Sequence, residues 1–200
     1  MYGLPPACEV KKQLPKKAIY AKFNLNSAQR DCFDADIARL DIVGCVSSSN
    51  IPALAPGDEV KEFYVLNVQL KHKGYDSKNI ALLTKLIPQK MVFALNCENT
   101  TQFAIYHTKL ISSAWKASDC AILPLSGLNL DVVWENIVKT IGQITVADGN
   151  SLGQQIIADE QRDKLLARIV QLERKMACEK QPRRKREYFT QILLLKRQIQ

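Results

Sequence analysis

The sequence predicts an α/β protein, more closely a mixed α+β sheet with flanking helices, followed by a C-terminal antiparallel helical hairpin. Three observations predict it. Residues 62–71 alternate with a period of two, as a half-buried strand does. Residues 28–38, 76–87 and 129–142 place apolar side chains at helical spacing, between short β-branched runs. After residue 150 the pattern changes to steps of three and four that continue for two helices' length.

The first 25 residues are basic and punctuated by Pro5, Pro6 and Pro15, with Lys11, Lys12, Lys16, Lys17 and Lys22. They read as an extended basic arm with one short helical turn near Lys16–Lys22. Asn26 and Ser27 are N-cap residues, and Phe33 and Ile37 recur at helical spacing after them. Leu40–Val46 is a β-branched run closed by Ser47, Ser48, Ser49 and Asn50, hence a strand and a turn. Pro52, Pro56 and Gly57 keep the next stretch a loop. In Glu62–Lys71, Tyr64, Leu66, Val68 and Leu70 form one face. Phe63, Val65, Asn67, Gln69 and Lys71 form the other, which turns polar toward its end.

Asp76 or Ser77 caps a helix that Pro88 ends. Met91–Cys97, a turn at Asn99, Thr100 and Thr101, and Phe103–Thr108 form a hairpin, with a further strand near Ile111–Trp115. Asn129 caps a helix whose buried face is Leu130, Val133, Trp134, Ile137 and Ile141, with Gly142 at its C-terminal end. Asp148–Ser151 reads as a linker. The expected organisation is therefore a basic arm over 1–25, an α/β domain over 26–147 and a helical hairpin over 152–200. In the hairpin, Leu165, Ile169, Leu172 and Met176 form one seam and Tyr188, Ile192, Leu195 and Ile199 the other, joined near Pro182. Such helices fold on each other or self-associate with another copy.

With 46% of its residues apolar, the chain can bury a core. No apolar run approaches the ~20 residues of a membrane span, and no apolar signal core follows Met1. The expected location is the cytoplasm, without a membrane partner. Cys8, Cys32, Cys45, Cys97, Cys120 and Cys178 contain no CxxC pair, and neither His72 nor His107 stands in ligand spacing to them. They are expected to be free thiols, with neither metal nor cofactor.

The net charge of +8 is concentrated at the C-terminus. Residues 151–200 carry 12 Lys and Arg against 6 Asp and Glu. The densest run is Lys180, Arg183, Arg184, Lys185 and Arg186 around Pro182, which belongs at the first position of a helix. Cations there oppose the helix dipole and repel one another, so an anionic partner relieves the arrangement. Nucleic acid, with DNA favoured over RNA, is the partner this predicts. A surface that is merely solvated, with Glu179 and Glu187 as counter-charges, is the plainer alternative.

No GxSxG, P-loop or GxGxxG motif is present, so the reading leans to a non-enzymatic module and leaves the question of activity open, with a metal-dependent nuclease as the alternative. Cys97 and His107 on neighbouring strands are the residues for a Cys–His nucleophile, against a core role for Cys97. The order helix, strand, strand, helix, strand, with Gln69-Leu70-Lys71 at a strand end, resembles the core of PD-(D/E)xK nucleases. That resemblance implies Asp41 and Gln69 as ligands of Mg²⁺ and Lys71 beside the attacking water. Gln in place of a carboxylate and one missing core strand depart from that pattern.

A resemblance over nearly the whole chain is to the bacterial domain-of-unknown-function 4391 family. It rests on Leu4-Pro5, Glu9-Val10-Lys11-Lys12, Leu14-Pro15-Lys16-Lys17, Val60–Leu66 with Leu70-Lys71, Ile87-Pro88, Val92–Leu95 and Leu128–Asp131, followed by the charged helical pair. The family carries no established activity. Because its members stand near helicases and DNA methyltransferases of restriction-like and phage-defence systems, it implies an accessory role with such partner proteins.

Overall fold

The computed structural model describes residues 1–146 and 151–199. It divides the chain into two compact units, Met1–Ile144 and Thr145–Gln200. Residues 148–150 of the expected linker, and the side chain of Ile199, lie outside the described residues.

The first unit is a seven-stranded mixed sheet with flanking helices, an α+β arrangement. Strands β1 (Glu9–Gln13), β2 (Ile37–Ser47), β3 (Glu62–Leu70), β4 (Lys90–Cys97), β5 (Thr100–Tyr106) and β6 (Leu110–Ser112) lie in that order. β7 (Lys116–Ala117) also pairs with β5. All neighbours are antiparallel except β3 and β4. A parallel pair needs a crossover, and helix α3 (Ser77–Leu83) lies on it.

The N-terminal 25 residues are not an extended arm. They supply β1 and helix α1 (Lys16–Phe23), and Tyr2, Leu4, Cys8, Ile19 and Leu25 are buried. Their prolines bound elements instead of preventing them: Pro15 precedes the first turn of α1, where no backbone N–H is needed. Leu4 lies so close to Gly44 that a Cβ there would sit 2.6 Å from its Cδ1. The missing Cβ at 44 thus gives the Leu4 side chain room to pack against β2.

Helix α2 (Ser27–Asp36) starts with a reciprocal capping box. The Gln29 N–H donates to Asn26 Oδ1 at 2.9 Å, and the Asn26 N–H donates to Gln29 Oε1 at 3.0 Å. It delivers Phe33, and the first residue of β2 delivers Ile37, into a core shared with Leu66, Val68, Leu70, Ile80, Leu83, Phe93 and Leu95. Asp36, only 6% exposed, joins α2 to α3. Its carboxylate accepts from the Asp76 N–H at 2.8 Å and from Asn79 Nδ2 at 2.7 Å. The helix expected to reach Ile87 ends at Leu83, and irregular turns carry the chain to Pro88.

Helix α4 (Leu130–Gly142) buries Leu130, Val133, Trp134, Ile137 and Ile141, the face its spacing predicts. Trp134 packs against Phe63 of β3 with ring centroids 5.6 Å apart. Each such side chain contributes about 1.5–3 kcal/mol when fully buried. The left-handed residue after the helix is Gln143 (φ 51°), one past Gly142.

The start of α4 is latched to the 57–60 loop. Asp131 accepts backbone N–H bonds from Asp58 at 2.6 Å, Val60 at 2.7 Å and Glu59 at 3.4 Å. These bonds, Val60's first, hold its carboxyl below the usual range. Only glycine fits at 57, because a Cβ there would overlap the Asp131 carboxylate. A group whose folded pKa is depressed stabilises above its unfolded value, near 4, and loses that contribution as pH falls through the folded value. Thermal unfolding followed from pH 7 to pH 3 is therefore expected to shift to lower temperature. Asp131→Ala is expected to lower the midpoint at pH 7 and to flatten the acid dependence. An unchanged acid dependence in that variant would remove the latch from the account.

The second unit is a two-helix hairpin, α5 (Leu152–Cys178) and α6 (Pro182–Ile199). Ser151 and Gln154 form a second capping box at the start of α5. Ile169 and Leu172 of α5 and Ile192 of α6 are buried, with Met176, Tyr188 and Leu195 packed against them. These six belong to the expected seams and meet within one chain; Leu165 is not part of the cluster. Glu173 and Lys196 bridge the helices at 3.0 Å.

Candidate functional site

The hairpin's tip gathers the charge. Glu179 ends α5, and its carboxylate accepts from the backbone N–H groups of Lys180 at 2.8 Å and Gln181 at 3.0 Å. Those bonds, Gln181's first, with Arg184 and Lys185 nearby, hold its carboxyl below the usual range. Pro182 then opens α6 at its first position, as its fixed φ favours. Lys180, Arg183, Arg184, Lys185 and Arg186 are all exposed.

Their counter-charges are few and loosely held. Arg183 faces Glu187 at 3.6 Å in the open, and Arg184 faces the half-buried Glu179 at 3.9 Å. Exposed pairs of this length contribute little. Among the described residues Lys180, Lys185 and Arg186 enter no ion pair. Glu179 thus occupies the N–H groups of the connection ahead of α6, and the basic side chains extend from it into solvent. Their long arms reach a phosphate without ordering the backbone further.

One further residue belongs to this surface. Phe189 is 53% exposed, one position past Tyr188 in the seam. With Met176, Ala177, Lys185 and Arg186 it lines a shallow hollow of about 360 Å³. The sequence reading passed over it. Its signal was the phase of α6: the seam runs 188, 192, 195, so 189 points out of it.

The residues implied by the nuclease resemblance sit differently. Asp41 on β2 is paired with Asn67 on β3, and Gln69 with Arg39, so Asp41 and Gln69 share a sheet face as diagonal neighbours. The Asp41 carboxylate is engaged by Arg39 Nε, at 3.0 Å to Oδ1 and 2.8 Å to Oδ2. Lys71 lies just past β3, where its N–H donates to the Asp36 carbonyl at 2.8 Å. Its charge bears on Asp34, which Lys16 and Tyr20 also hold, Lys16 most strongly. A single carboxylate already neutralised by Arg39 does not fit a Mg²⁺ site, which needs one or two free carboxylates. Among the described residues no three of His, Cys, Asp or Glu stand together as a metal site would require.

The polar end of that face is instead filled by uncharged groups. Tyr2 Oη donates to Asn67 Oδ1 at 2.8 Å, and Asn96 Nδ2 donates to Tyr2 Oη and to Asn67 Oδ1. Thr101 Oγ1 donates to Asn96 Oδ1 at 2.6 Å. Burial pushes the Tyr2 phenol above its ordinary value. Tyr2 is thereby built into the sheet, and the residues behave as an internal polar clamp.

Cys97 and His107 do not meet. Cys97 is opposite Thr100 at one end of the β4–β5 pair, and His107 follows β5 at the other. Seven strand residues at ~3.3 Å each separate those ends by about 23 Å. Cys97 is buried at the edge of the core.

No helix among the described residues is long and apolar enough to cross a membrane. The model of a family described as a domain of unknown function (DUF4391) matches residues 2–199. No curated protein and no solved structure matches the chain.

Proposed function

The chain belongs to the DUF4391 family over essentially its whole length, and on the surface it presents we propose that it is a non-enzymatic module that holds nucleic acid. The hairpin tip grips the phosphate backbone, DNA in preference to RNA. The α/β unit docks on the DNA-directed enzymes it accompanies, helicases or methyltransferases of a bacterial defence or restriction-like system in the cytoplasm.

One observation carries the reading: five exposed cations, Lys180 and Arg183 to Arg186, lie within seven residues of the tip, opposed among the described residues by two long ion pairs, at 3.6 and 3.9 Å. Such a cluster is unfavourable by itself, through mutual repulsion and the helix dipole, and a polyanion relieves both. Phosphate contacts of this kind confer affinity without base preference.

The test is a titration of fluorescently labelled duplex DNA with the whole chain and with Arg183→Gln/Arg184→Gln/Lys185→Gln/Arg186→Gln. These positions are exposed, so the variant keeps its circular dichroism and melting temperature. Losing four phosphate contacts is expected to weaken binding on the order of 100-fold at moderate salt. Equal affinities would remove the hairpin from the binding surface.

A further inference from the structure

The hollow beside Phe189 has a chemistry that phosphate binding alone does not use. Residues one position past the seam on each helix of an antiparallel pair point to the same side. The Glu173–Lys196 bridge, from Leu172 and Leu195 plus one, marks that side. On it, Ala177 of α5 faces Arg186 and Phe189 of α6, and Met176 and Lys185 complete the lining. An exposed phenyl ring thus has an apolar floor on one flank. On the other are two cations three and four residues earlier, the spacing that makes helix neighbours.

A purely apolar hollow would suit an aliphatic side chain. Here neither Lys185 nor Arg186 enters an ion pair among the described residues. The occupant that matches is flat and apolar in one part and anionic in the next, which describes one nucleotide of an unpaired strand. In a duplex the base faces are already stacked on each other and closed to an outside ring. We propose that Phe189 is a stacking platform for an unpaired base, with Lys185 and Arg186 holding the adjacent phosphate. The chain's ligand is then single-stranded nucleic acid, or a junction that leaves a base unpaired. The inference rests on the nucleic-acid reading above and narrows it.

The experiment uses the whole chain with a labelled oligothymidylate and a blunt duplex of equal length. Binding is followed by anisotropy for the wild type, Phe189→Ala and Phe189→Trp. Phe189→Ala is expected to weaken oligothymidylate binding about 5- to 150-fold, the range for one stacked base, and to leave duplex binding within a factor of two. Phe189→Trp should keep the affinity and gain a fluorescence component quenched by the oligothymidylate. Equal binding of oligothymidylate by wild type and Phe189→Ala overturns the platform while leaving the basic-tip reading intact, provided the duplex is bound. No binding of either probe by the wild type overturns both. A change in solution mass for Phe189→Ala, with oligothymidylate affinity unaltered, assigns the hollow to a protein contact and overturns the platform too.

Discussion

Phe33→Ala is expected to lose about 3–5 kcal/mol of stability in the first unit, the range for removing a buried phenyl ring. Phe33 is fully buried, and its ring meets Tyr20 edge-on at 5.8 Å. It stands where α2, β3, α3 and β4 share one apolar cluster. The surrounding side chains belong to strands and helices fixed by their own hydrogen bonds and collapse only partly into the space. Urea unfolding measures the loss directly, and the melting temperature should fall on the order of 10 °C. Phe33→Leu, which keeps most of the volume, should lose far less. A loss under ~1 kcal/mol for Phe33→Ala would mean that the cluster is not the unit's core.

The second large effect is expected at Ile192. This residue is 4% exposed and joins Ile169 and Leu172 as the fully buried part of the hairpin seam. Ile192→Asp removes ~1.5–3 kcal/mol of burial and places a carboxylate without a partner among apolar side chains. A two-helix unit with so small a seam has no reserve against that, because isolated helices are marginal in water. The hairpin should melt, and since α5 and α6 are the two longest helices, roughly half of the helical circular dichroism goes with it. DNA affinity should fall as well, because the cations of the tip are no longer held together. Leu193→Asp, one residue along and 45% exposed, should leave helicity unchanged. Equal responses from the two variants would contradict the seam. A drop in solution mass for Ile192→Asp with helicity intact would assign the seam to contacts between copies.

The seam and the face of α4 were legible because a period of 3.5 to 3.6 residues leaves one reading. Leu165 to Met176 and Leu130 to Ile141 recur at that period without interruption. The alternation of β3 was legible for the same reason, and so was the polar turn of its second face, which Asn67 fills with Tyr2 and Asn96. The N-terminal segment was legible only in part: the helical turn expected near Lys16–Lys22 is α1, but β1 and the burial of the segment were not foreseen. Its lysines and prolines read locally as a solvated arm, while β1 exists because β2 offers it an edge, a long-range cause that local pattern does not carry. The short α3 was overextended because Leu86 and Ile87 continue a helical phase even though they pack against the same core from irregular turns.

The site divides in the same way. Lys180 and Arg183 to Arg186 are contiguous, so their clustering needs no tertiary information, and Pro182 fixes where the helix begins. Asp41, Gln69 and Lys71 depended on three side chains converging from separate positions. Register brings Asp41 and Gln69 to one face, but Arg39 occupies the carboxylate and the charge of Lys71 falls on Asp34. Phe189 was overlooked because an aromatic residue beside a seam reads as part of it until the phase is followed residue by residue.

The central claim, that the hairpin tip holds nucleic acid by its phosphates, is tested most directly by the salt dependence of binding. Labelled DNA would be titrated with the whole chain over a series of salt concentrations with Mg²⁺ present, and the mixtures run on a denaturing gel. With four to five phosphate contacts the logarithm of affinity should fall against the logarithm of salt with a slope of about −4 on duplex, and the DNA should emerge uncut. A slope near zero, no binding at the lowest salt, or cleaved DNA would contradict the account.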